Sequence, residues 1–282
     1  MTETPALRPY AAARAGQRSG LLDLEITRTD PGYLARLHPD LRQFVMRRLL
    51  DDAIDDFEEL HAVSERGVAG DRRPGISANL AGAAAHRDDE QLMIAGQQVM
   101  QSWERPLMAE LSRLATASHG DVLEVGFGMG ISASMIQEAG VASHTVIEAN
   151  PEVAEGARKW AGGRSATTRV VQGRWQDVIG SLGTFDGILF DTYPADEREY
   201  EQYVVRDAAY IEHFLTAAAG HLRPGGTLSY YTMEIDSLSR RHQRALLKHF
   251  SSFRVGVVSG LQPPADCTYW WADSMATVAA VR

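Results

Sequence analysis

The amino-acid sequence predicts an α/β protein built on a doubly wound, mostly parallel sheet of seven strands, preceded by a helical N-terminal segment. Two observations carry this prediction. From residue 90 onward, short apolar runs typical of buried strands alternate with segments of helical periodicity. The last two runs, "FRVGVVSG" and "SMATVAAVR", have no clear helix between them, which predicts one antiparallel strand at an edge of the sheet.

The N-terminal part of the chain has a different pattern. Residues 1–20 are rich in Ala, Arg, Pro and Gly, show no periodicity, and are interpreted as a flexible tail. Residues 21–85 are interpreted as a helical segment and a Gly-rich linker, because Asp30–Pro31 is a typical helix start and apolar residues then recur at helical spacing. The helices at 31–65 would form a homodimer interface or cover the sheet. The α/β domain is assigned to residues 86–282.

Within that domain the predicted elements follow one another along the chain. A helix is expected around Gln97–Thr116, and it leads to the first sheet strand, "DVLEV". The elements after it are "HTVIE", a helix from Pro151, "TRVVQ", a helix from Trp175, "FDGILFD", a long helix near 200–221, "GTLSYY" and a helix at 237–250.

Composition excludes several classes of function. The net charge is −9 and no basic cluster is present, which disfavours a nucleic-acid partner. Cys267 is the only cysteine, so an internal disulfide and a cysteine-built zinc site are excluded, and we expect no metal. No apolar run approaches the roughly 20 residues of a membrane span, and the N-terminus lacks the apolar core of a secretion signal. These features indicate a cytoplasmic protein with no membrane partner.

The strongest local motif is "EVGFGMG", Glu124 to Gly130, directly after a predicted strand and before a helix. Glycines at 126, 128 and 130 permit a tight turn whose backbone N–H groups can approach a ligand. The spacing differs from the G-x-G-x-x-G of nicotinamide dinucleotide sites. It is the form that is typical of class I S-adenosylmethionine-dependent methyltransferases, although glycine-rich turns after strands are common.

The ends of the next two strands extend this pattern. Glu148 ends the strand "HTVIE", 24 residues after Glu124, and an acid at about 20 residues' distance can accept hydrogen bonds from both ribose hydroxyls. Trp175 and Gln176 follow the third strand. The indole can stack on adenine and the amide can read its exocyclic amine. Carboxyl ends of the strands in an open α/β sheet are where ligands bind.

Asp191 ends the fourth predicted strand in "ILFDTYP". This strand is expected beside the first one, so that Asp191 would face the reactive end of the cofactor. A carboxylate there can hold a substrate nitrogen in line with the transferring methyl group. Tyr193 would pack beside the substrate or shape the turn.

Seven segments in the same order resemble the guanidinoacetate N-methyltransferase family: "VMQSWERPLM", "VLEVGFGMG", "VIEANPEV", "GRWQDV", "FDGILFDTYP", "LRPGGTLSY" and "PPADCTYW". The resemblance spans roughly residues 90–282. It implies that Glu104 and Asp191 are the catalytic carboxylates that grip a small guanidino substrate, with Tyr193 beside them. It further implies that S-adenosylmethionine is the methyl donor, S-adenosylhomocysteine the product, and that the donor is surrounded by Met100, Met108, Glu124, Gly126, Phe127, Gly128, Met129, Gly130, Ile131, Ser132, Glu148, Ala149, Asn150, Trp175 and Gln176.

Three departures from the family pattern bear on substrate and cofactor. Met233 and Glu234 stand where the family has a Leu-Thr pair that helps to receive the substrate carboxylate. An acid there would repel a carboxylate and attract the α-ammonium group of L-arginine, unless Glu234 faces solvent or pairs with an arginine such as Arg240. Gln176 replaces a family acid near adenine. The first 85 residues do not match the family's short N-terminus.

The leading hypothesis is therefore a small-molecule guanidino N-methyltransferase that prefers free L-arginine and serves a specialised biosynthetic pathway. Guanidinoacetate methylation to creatine is the alternative. A protein arginine methyltransferase is a further alternative, and so is a non-catalytic scaffold that binds S-adenosylmethionine.

Overall fold

The computed structural model describes residues 24–27, 79–164, 167–200, 210–232, 238–270 and 272–282. The strands of its central sheet are β1 (Leu24–Thr27), β5 (Asp121–Val125), β6 (Ser143–Glu148), β7 (Thr168–Gln172), β8 (Phe185–Phe190), β9 (Leu222–Tyr231), β10 (Ser252–Ser259) and β11 (Ser274–Val281). They lie in the order β1-β10-β11-β9-β8-β5-β6-β7. All seven predicted strands are present, and the predicted doubly wound α/β class is confirmed.

Helices cover both faces of the sheet. They are α1 (Arg105–Ala115), α2 (Ile131–Glu138), α3 (Pro151–Ala161), α4 (Trp175–Val178), α5 (Glu197–Tyr200), α6 (Glu212–His221) and α7 (Arg240–His249). Neighbouring strand residues face opposite sides: Leu123 lies in the core beneath α6 and α7, whereas Val122 lies in the core beneath α1, α2 and α3. Continuous apolar strands are the expected consequence of burial on both faces.

The parallel strands are β7, β6, β5, β8 and β9. Strand β11 is antiparallel to both β9 and β10. The predicted antiparallel strand therefore exists, but its predicted place at the edge is wrong: β11 is inserted between β9 and β10. The described residues between β10 and β11 form no crossover helix, and the two strands pair antiparallel.

An eighth strand lies at the sheet edge. Leu24–Thr27 pairs antiparallel with β10, Leu24 opposite Val255 and Thr27 opposite Ser252. The prediction of a helical segment and linker over residues 21–85 is wrong at these four residues, whose "LEIT" alternates apolar and polar side chains as strands do. The predicted helices at 31–65 lie outside the described residues.

A separate three-stranded sheet precedes α1. It consists of β2 (Ala85–Arg87), β3 (Gln91–Ile94) and β4 (Gln97–Gln101), all antiparallel. The helix predicted from Gln97 is therefore wrong over Gln97–Gln101 and begins only at Arg105. Ala95 and Gly96 both have positive φ, 53° and 77°, which is the requirement of a two-residue hairpin turn. The hairpin overrides the local helical spacing.

One ionic cluster joins three strands at their amino ends. Arg223, near the start of β9, bonds to Asp121 at the start of β5 at 2.7 Å and to Asp186 near the start of β8. The pKa of Asp121 is lowered by the hydrogen bond from Ser143 and by Arg223. This cluster lies at the end of the sheet opposite the carboxyl ends of the same strands.

None of the described helices is long and apolar enough to cross a lipid bilayer. Within the same part of the chain, no group of three or more His, Cys, Asp or Glu side chains is arranged to hold a metal ion.

Candidate active site

The glycine-rich turn lies between β5 and α2, as predicted. Gly126, Gly128 and Gly130 have φ values of 96°, 51° and 69°, a region that other residues adopt only at a cost. A Cβ atom at Gly126 would lie 1.9 Å from the backbone oxygen of Asp191. The absence of a side chain at Gly126 therefore lets the ends of β5 and β8 approach each other.

Glu148 ends β6 beside this turn. Its carboxylate accepts hydrogen bonds from the backbone N–H of Phe127 at 2.9 Å and of Asn150 at 2.8 Å. Burial raises the pKa of Glu148, and these backbone donors oppose that effect. Glu148 thus holds the turn in place and still presents part of its carboxylate to the adjoining cavity.

A large cleft opens at the carboxyl ends of the central strands, with a volume of about 1330 Å³ including its mouth. We call it the main cleft. Nine of the predicted site residues line it: Met100, Glu104, Gly126, Gly128, Glu148, Ala149, Asn150, Asp191 and Tyr193. The structure therefore brings both predicted catalytic carboxylates to one cavity, from the turn before α1 and from the end of β8.

Glu104 is 6% exposed and lies in the 3-10 turn Ser102–Glu104. Its Oε1 accepts a 2.6 Å hydrogen bond from the Tyr269 hydroxyl and a 2.8 Å bond from the backbone N–H of Gln101. Burial raises the pKa of Glu104 to about 7 despite these two donors. A carboxyl in this condition changes its charge near neutral pH.

Asp191 is a different case. Among the described residues none donates a hydrogen bond to its carboxylate, whereas its backbone N–H bonds to the Val125 oxygen at 2.9 Å. Burial raises its pKa well above the usual range, and the charges of Glu104, Glu124 and Glu148 raise it further. Two carboxyl groups that repel each other in one cleft favour a cationic ligand.

A smaller side cleft adjoins the main cleft and shares Gly126, Glu148, Ala149 and Tyr193 with it. Trp175 and Gln176 line this side cleft, as do Gly173, Arg174 and Glu199. The Trp175 ring packs edge-on against Phe214, with 5.0 Å between centroids. Within the described part of the chain, the buried Trp175 Nε1 and Arg174 Nε have no acceptor.

The remaining predicted cofactor residues do not line either cleft. They are buried within the glycine turn or beneath it: Met108, Glu124, Phe127, Met129, Gly130, Ile131 and Ser132. Glu124 accepts hydrogen bonds from Ser132 Oγ and from His144, whose Nε2 lies 3.0 Å away. These residues support the turn from below. Met233 and Glu234 lie outside the described residues.

Sequence reasoning missed several cleft residues. Tyr269 and Tyr231 line the main cleft. Tyr269 lies in "PPADCTYW" and Tyr231 in "GTLSYY", and sequence reasoning assigns a role to neither residue. The segment 80–85, which we call the strap, was interpreted as linker, yet Leu80 and Ala81 line the main cleft. Its Leu80 N–H bonds to the Ala195 oxygen at 2.7 Å.

Asn150 anchors the other side of the strap. Its side-chain N–H₂ donates to the oxygens of Leu80 and Ala83 at 2.9 and 2.8 Å, while its Oδ1 caps α3 by accepting from Glu152 and Val153 N–H. Asn150 is predicted to be among the residues that surround the cofactor, and it lines the main cleft. Its side chain also holds the strap.

The family model described as guanidinoacetate N-methyltransferase matches residues 75–282. The chain belongs to this family. The match begins upstream of the predicted domain boundary at residue 86, in agreement with the strap's contacts to Asn150 and Ala195. Membership in this family indicates S-adenosylmethionine as the methyl donor.

Curated relatives are named protein arginine N-methyltransferase 2. The protein of Aspergillus oryzae is 34% identical over 110 residues, which cover 37% of this chain and 27% of the relative. That of Yarrowia lipolytica is 31% identical over 158 residues, which cover 52% of this chain and 31% of the relative. That of Cryptococcus neoformans is 32% identical over 156 residues, covering 47% and 43%. This chain thus spans less than half the length of these relatives.

Solved structures with a similar chain path include a spermidine synthase in complex with the transition-state analogue AdoDATO. It has a TM-score of 0.49 and 17% identity and covers 70% of this chain and 71% of that one. The O-methyltransferase TomG from Streptomyces achromogenes, in complex with S-adenosylmethionine, has a TM-score of 0.44 and 19% identity and covers 64% and 81%.

The residues around the glycine turn fit this cofactor. At Gly128 a Cβ atom would lie 2.7 Å from the Met100 sulfur, so the turn leaves no room for a side chain beside the cleft wall. Glu148, which lines the main cleft, would offer its carboxylate to a ribose. Met100, Gly126, Gly128, Glu148, Ala149, Trp175 and Gln176 would hold the cofactor.

Proposed function

We propose that the protein methylates the guanidino nitrogen of a small molecule, with free L-arginine as the preferred substrate. The observation that carries this proposal is the charge of the main cleft. Among the described residues that line it, Glu104, Glu148 and Asp191 are acidic, and none is lysine, arginine or histidine. A cavity with this lining attracts cations and repels anions.

The two substrate carboxylates suit a guanidinium group. A guanidinium is a planar fork of N–H donors, and a carboxylate accepts two of them in parallel. Glu104 Oε1 is engaged with Tyr269 and Gln101, which fixes the direction of its second oxygen. Asp191 has its acceptor sites available. Two carboxylates that reach the guanidinium from different elements determine both its plane and its rotation.

Asp191 is proposed as the base. A guanidinium has a pKa above 12 and a delocalised lone pair, so its nitrogen must lose a proton as the new N–C bond forms. S-adenosylmethionine supplies an electrophilic methyl group attached to a sulfonium. The raised pKa of Asp191 makes its carboxylate a better proton acceptor than an exposed aspartate. Glu104 holds the remaining N–H groups, and the apolar walls exclude water.

Free L-arginine is favoured over guanidinoacetate for two reasons. L-arginine carries a net positive charge, whereas guanidinoacetate is neutral overall and ends in a carboxylate close to the guanidino group. The acidic lining supports the substrate of higher positive charge. Glu234, placed by sequence where the family has a neutral residue, is proposed to bind the α-ammonium group. The product would then enter a specialised biosynthetic pathway.

A protein-bound arginine is the second candidate, because the curated relatives are named protein arginine N-methyltransferases. An arginine side chain within a protein presents the same guanidinium without an α-ammonium group. A non-catalytic scaffold has no need of two carboxylates in one cleft, which argues against that alternative.

A competition assay tests the proposal. The full chain receives S-adenosylmethionine with equal concentrations of L-arginine, guanidinoacetate and an arginine-containing peptide, and mass spectrometry follows each product. Dominant methylarginine is expected. Dominant creatine or methylated peptide would transfer the assignment to that substrate.

The Asp191→Asn variant then tests the mechanism. We expect at least about a hundred-fold loss of methyl transfer with unchanged binding of S-adenosylhomocysteine. Glu110→Gln, which changes an acid on the outer side of α1 that pairs with Arg113, is the matched control and should keep full activity. Unchanged turnover in Asp191→Asn would exclude Asp191 as the base.

A further inference from the structure

The side cleft contains a buried carboxylate that the proposed reaction does not use. Glu199, in α5, has a side chain only 8% exposed. It forms an ion pair with Arg174, accepts a 2.9 Å hydrogen bond from Gln176 Nε2, and accepts a 2.8 Å bond from the Ala195 backbone N–H. Arg174 caps the short helix α4 after β7, Gln176 lies within that helix, and Ala195 belongs to the loop after β8. Glu199 therefore joins two strand ends.

The contact with Glu199 determines which way the Gln176 amide is turned. A carboxylate that is ion-paired with arginine can only accept hydrogen bonds, so the Gln176 atom that faces it must be the N–H₂ group. The carbonyl oxygen is thereby turned away from Glu199. Among the described residues, no donor contacts this oxygen. Gln176 lines the side cleft and retains one oriented acceptor.

We propose that Glu199 is a positioning residue for recognition of the cofactor's adenine: it fixes the Gln176 amide so that the carbonyl oxygen accepts a hydrogen bond from the exocyclic amine. Adenine carries a donor at this position, and hypoxanthine carries an acceptor. An amide that is free to turn can satisfy either base, because it presents its oxygen to one and its N–H₂ group to the other. An amide held by a carboxylate satisfies adenine alone.

This arrangement explains how the chain accommodates an amide at residue 176, where its family has an acid. An acid at 176 would lie against the Glu199 carboxylate, and two adjacent carboxylates repel each other. Glutamine removes the repulsion, and its contact with Glu199 fixes the direction of the amide, which would otherwise be free to turn. The inference concerns cofactor binding alone and does not depend on the identity of the methylated substrate.

The test measures affinity by titration calorimetry of the full chain, with no methyl acceptor present. The two probes are S-adenosylhomocysteine and S-inosylhomocysteine, which differ in the amino or oxo group of the base. The wild-type protein should prefer the adenosyl compound by at least about ten-fold, since a mismatched base leaves two facing acceptors. In Glu199→Gln the ratio of the two dissociation constants should fall to within about two-fold of one.

The ratio of the two dissociation constants distinguishes a positioning role of Glu199 from a purely structural one. If Glu199 only braces the loops, Glu199→Gln weakens both probes equally, the wild-type ratio persists, and the proposal is overturned. A wild-type protein that binds both probes equally would also overturn it.

Two further variants keep the test decisive if Glu199→Gln folds poorly. Gln176→Met removes the amide and leaves the Arg174 and Ala195 contacts of Glu199 in place; its ratio should also fall toward one. The exchange variant Gln176→Glu/Glu199→Gln places the carboxylate on the other partner and should restore the adenosyl preference. A ratio of dissociation constants in Gln176→Met that equals the wild-type ratio would contradict the proposal. A ratio near one in the exchange variant would contradict it as well.

Discussion

The Tyr269 hydroxyl donates a 2.6 Å hydrogen bond to Glu104 Oε1 across 165 residues of sequence. It ties the loop between β10 and β11 to the turn before α1, and the Tyr269 ring lies stacked 6.0 Å from that of Trp103. This bond stabilises the ionised form of Glu104 and so lowers its pKa against the effect of burial.

Removing the hydroxyl should therefore weaken activity in a pH-dependent way. In Tyr269→Phe the pKa of Glu104 should rise further above about 7, and the carboxyl would be protonated over more of the neutral range. We expect kcat/KM for the guanidino substrate to fall by about ten-fold near pH 7 and to recover partly at higher pH. A pH profile that is lowered uniformly would show that Tyr269 does not act through Glu104.

The free energy of unfolding of the substrate-free protein should fall as pH rises through the acidic range. The Glu104 carboxyl has an ordinary pKa of 4.5 and a folded value of about 7, so between these values the folded protein binds the additional proton. The free energy of unfolding should then decrease by about 3 kcal/mol from pH 4.5 to pH 7 through this group. Urea unfolding of Glu104→Gln should show a clearly smaller decrease; an equal decrease would exclude Glu104 as the source. Asp191 acts in the same direction.

A methyl group at Gly126 should disturb the end of β8. Gly126→Ala places a Cβ atom 1.9 Å from the Asp191 oxygen at a φ of 96°, and we expect a loss of about 2–4 kcal/mol in unfolding free energy. Gly180→Ala is the matched control, because nothing lies within 4 Å of a Cβ atom there. Chemical denaturation of both variants measures the difference, and comparable stabilities would refute the close approach.

The two roles of Asn150 are separable by substitution. Asn150→Asp keeps the oxygen that caps α3 and loses the N–H₂ group that holds the strap, whereas Asn150→Ala loses both. Hydrogen exchange at residues 80–85 should accelerate in both variants. The free energy of unfolding should fall by about 1 kcal/mol more in Asn150→Ala than in Asn150→Asp. Unchanged exchange in Asn150→Asp would show that the strap is held by other contacts.

The sequence predicts those residues of the candidate site that lie at the ends of strands. Gly126, Glu148 and Asp191 each follow an apolar run, and parallel strands bring such positions together regardless of side-chain detail. The strand at Gln97–Gln101 was missed because its helical spacing is overridden by the hairpin turn at Ala95–Gly96. Local spacing cannot report a pairing that another segment imposes.

Contacts between distant loops lay beyond sequence reasoning for a related reason. Tyr269 reaches the main cleft from a loop and Glu199 reaches the side cleft from the short helix α5. The positions of both follow from the packed sheet, and neither has a neighbour in sequence that marks its role. Glu104 is identified only through resemblance to a family, since from the sequence alone it is an ordinary acid on the surface of a helix, next to Arg105. Its 6% exposure is a property of the assembled fold.

The cluster of Arg223 with Asp121 and Asp186 fastens β5, β8 and β9 at the ends farthest from the clefts. Strand order is thus secured by residues that contact neither substrate nor cofactor. Such a separation favours evolvability: side chains at the cleft can be exchanged for a new methyl acceptor while the opposite end preserves the scaffold. A library for altered substrate choice would accordingly vary the cleft end and leave these three residues untouched.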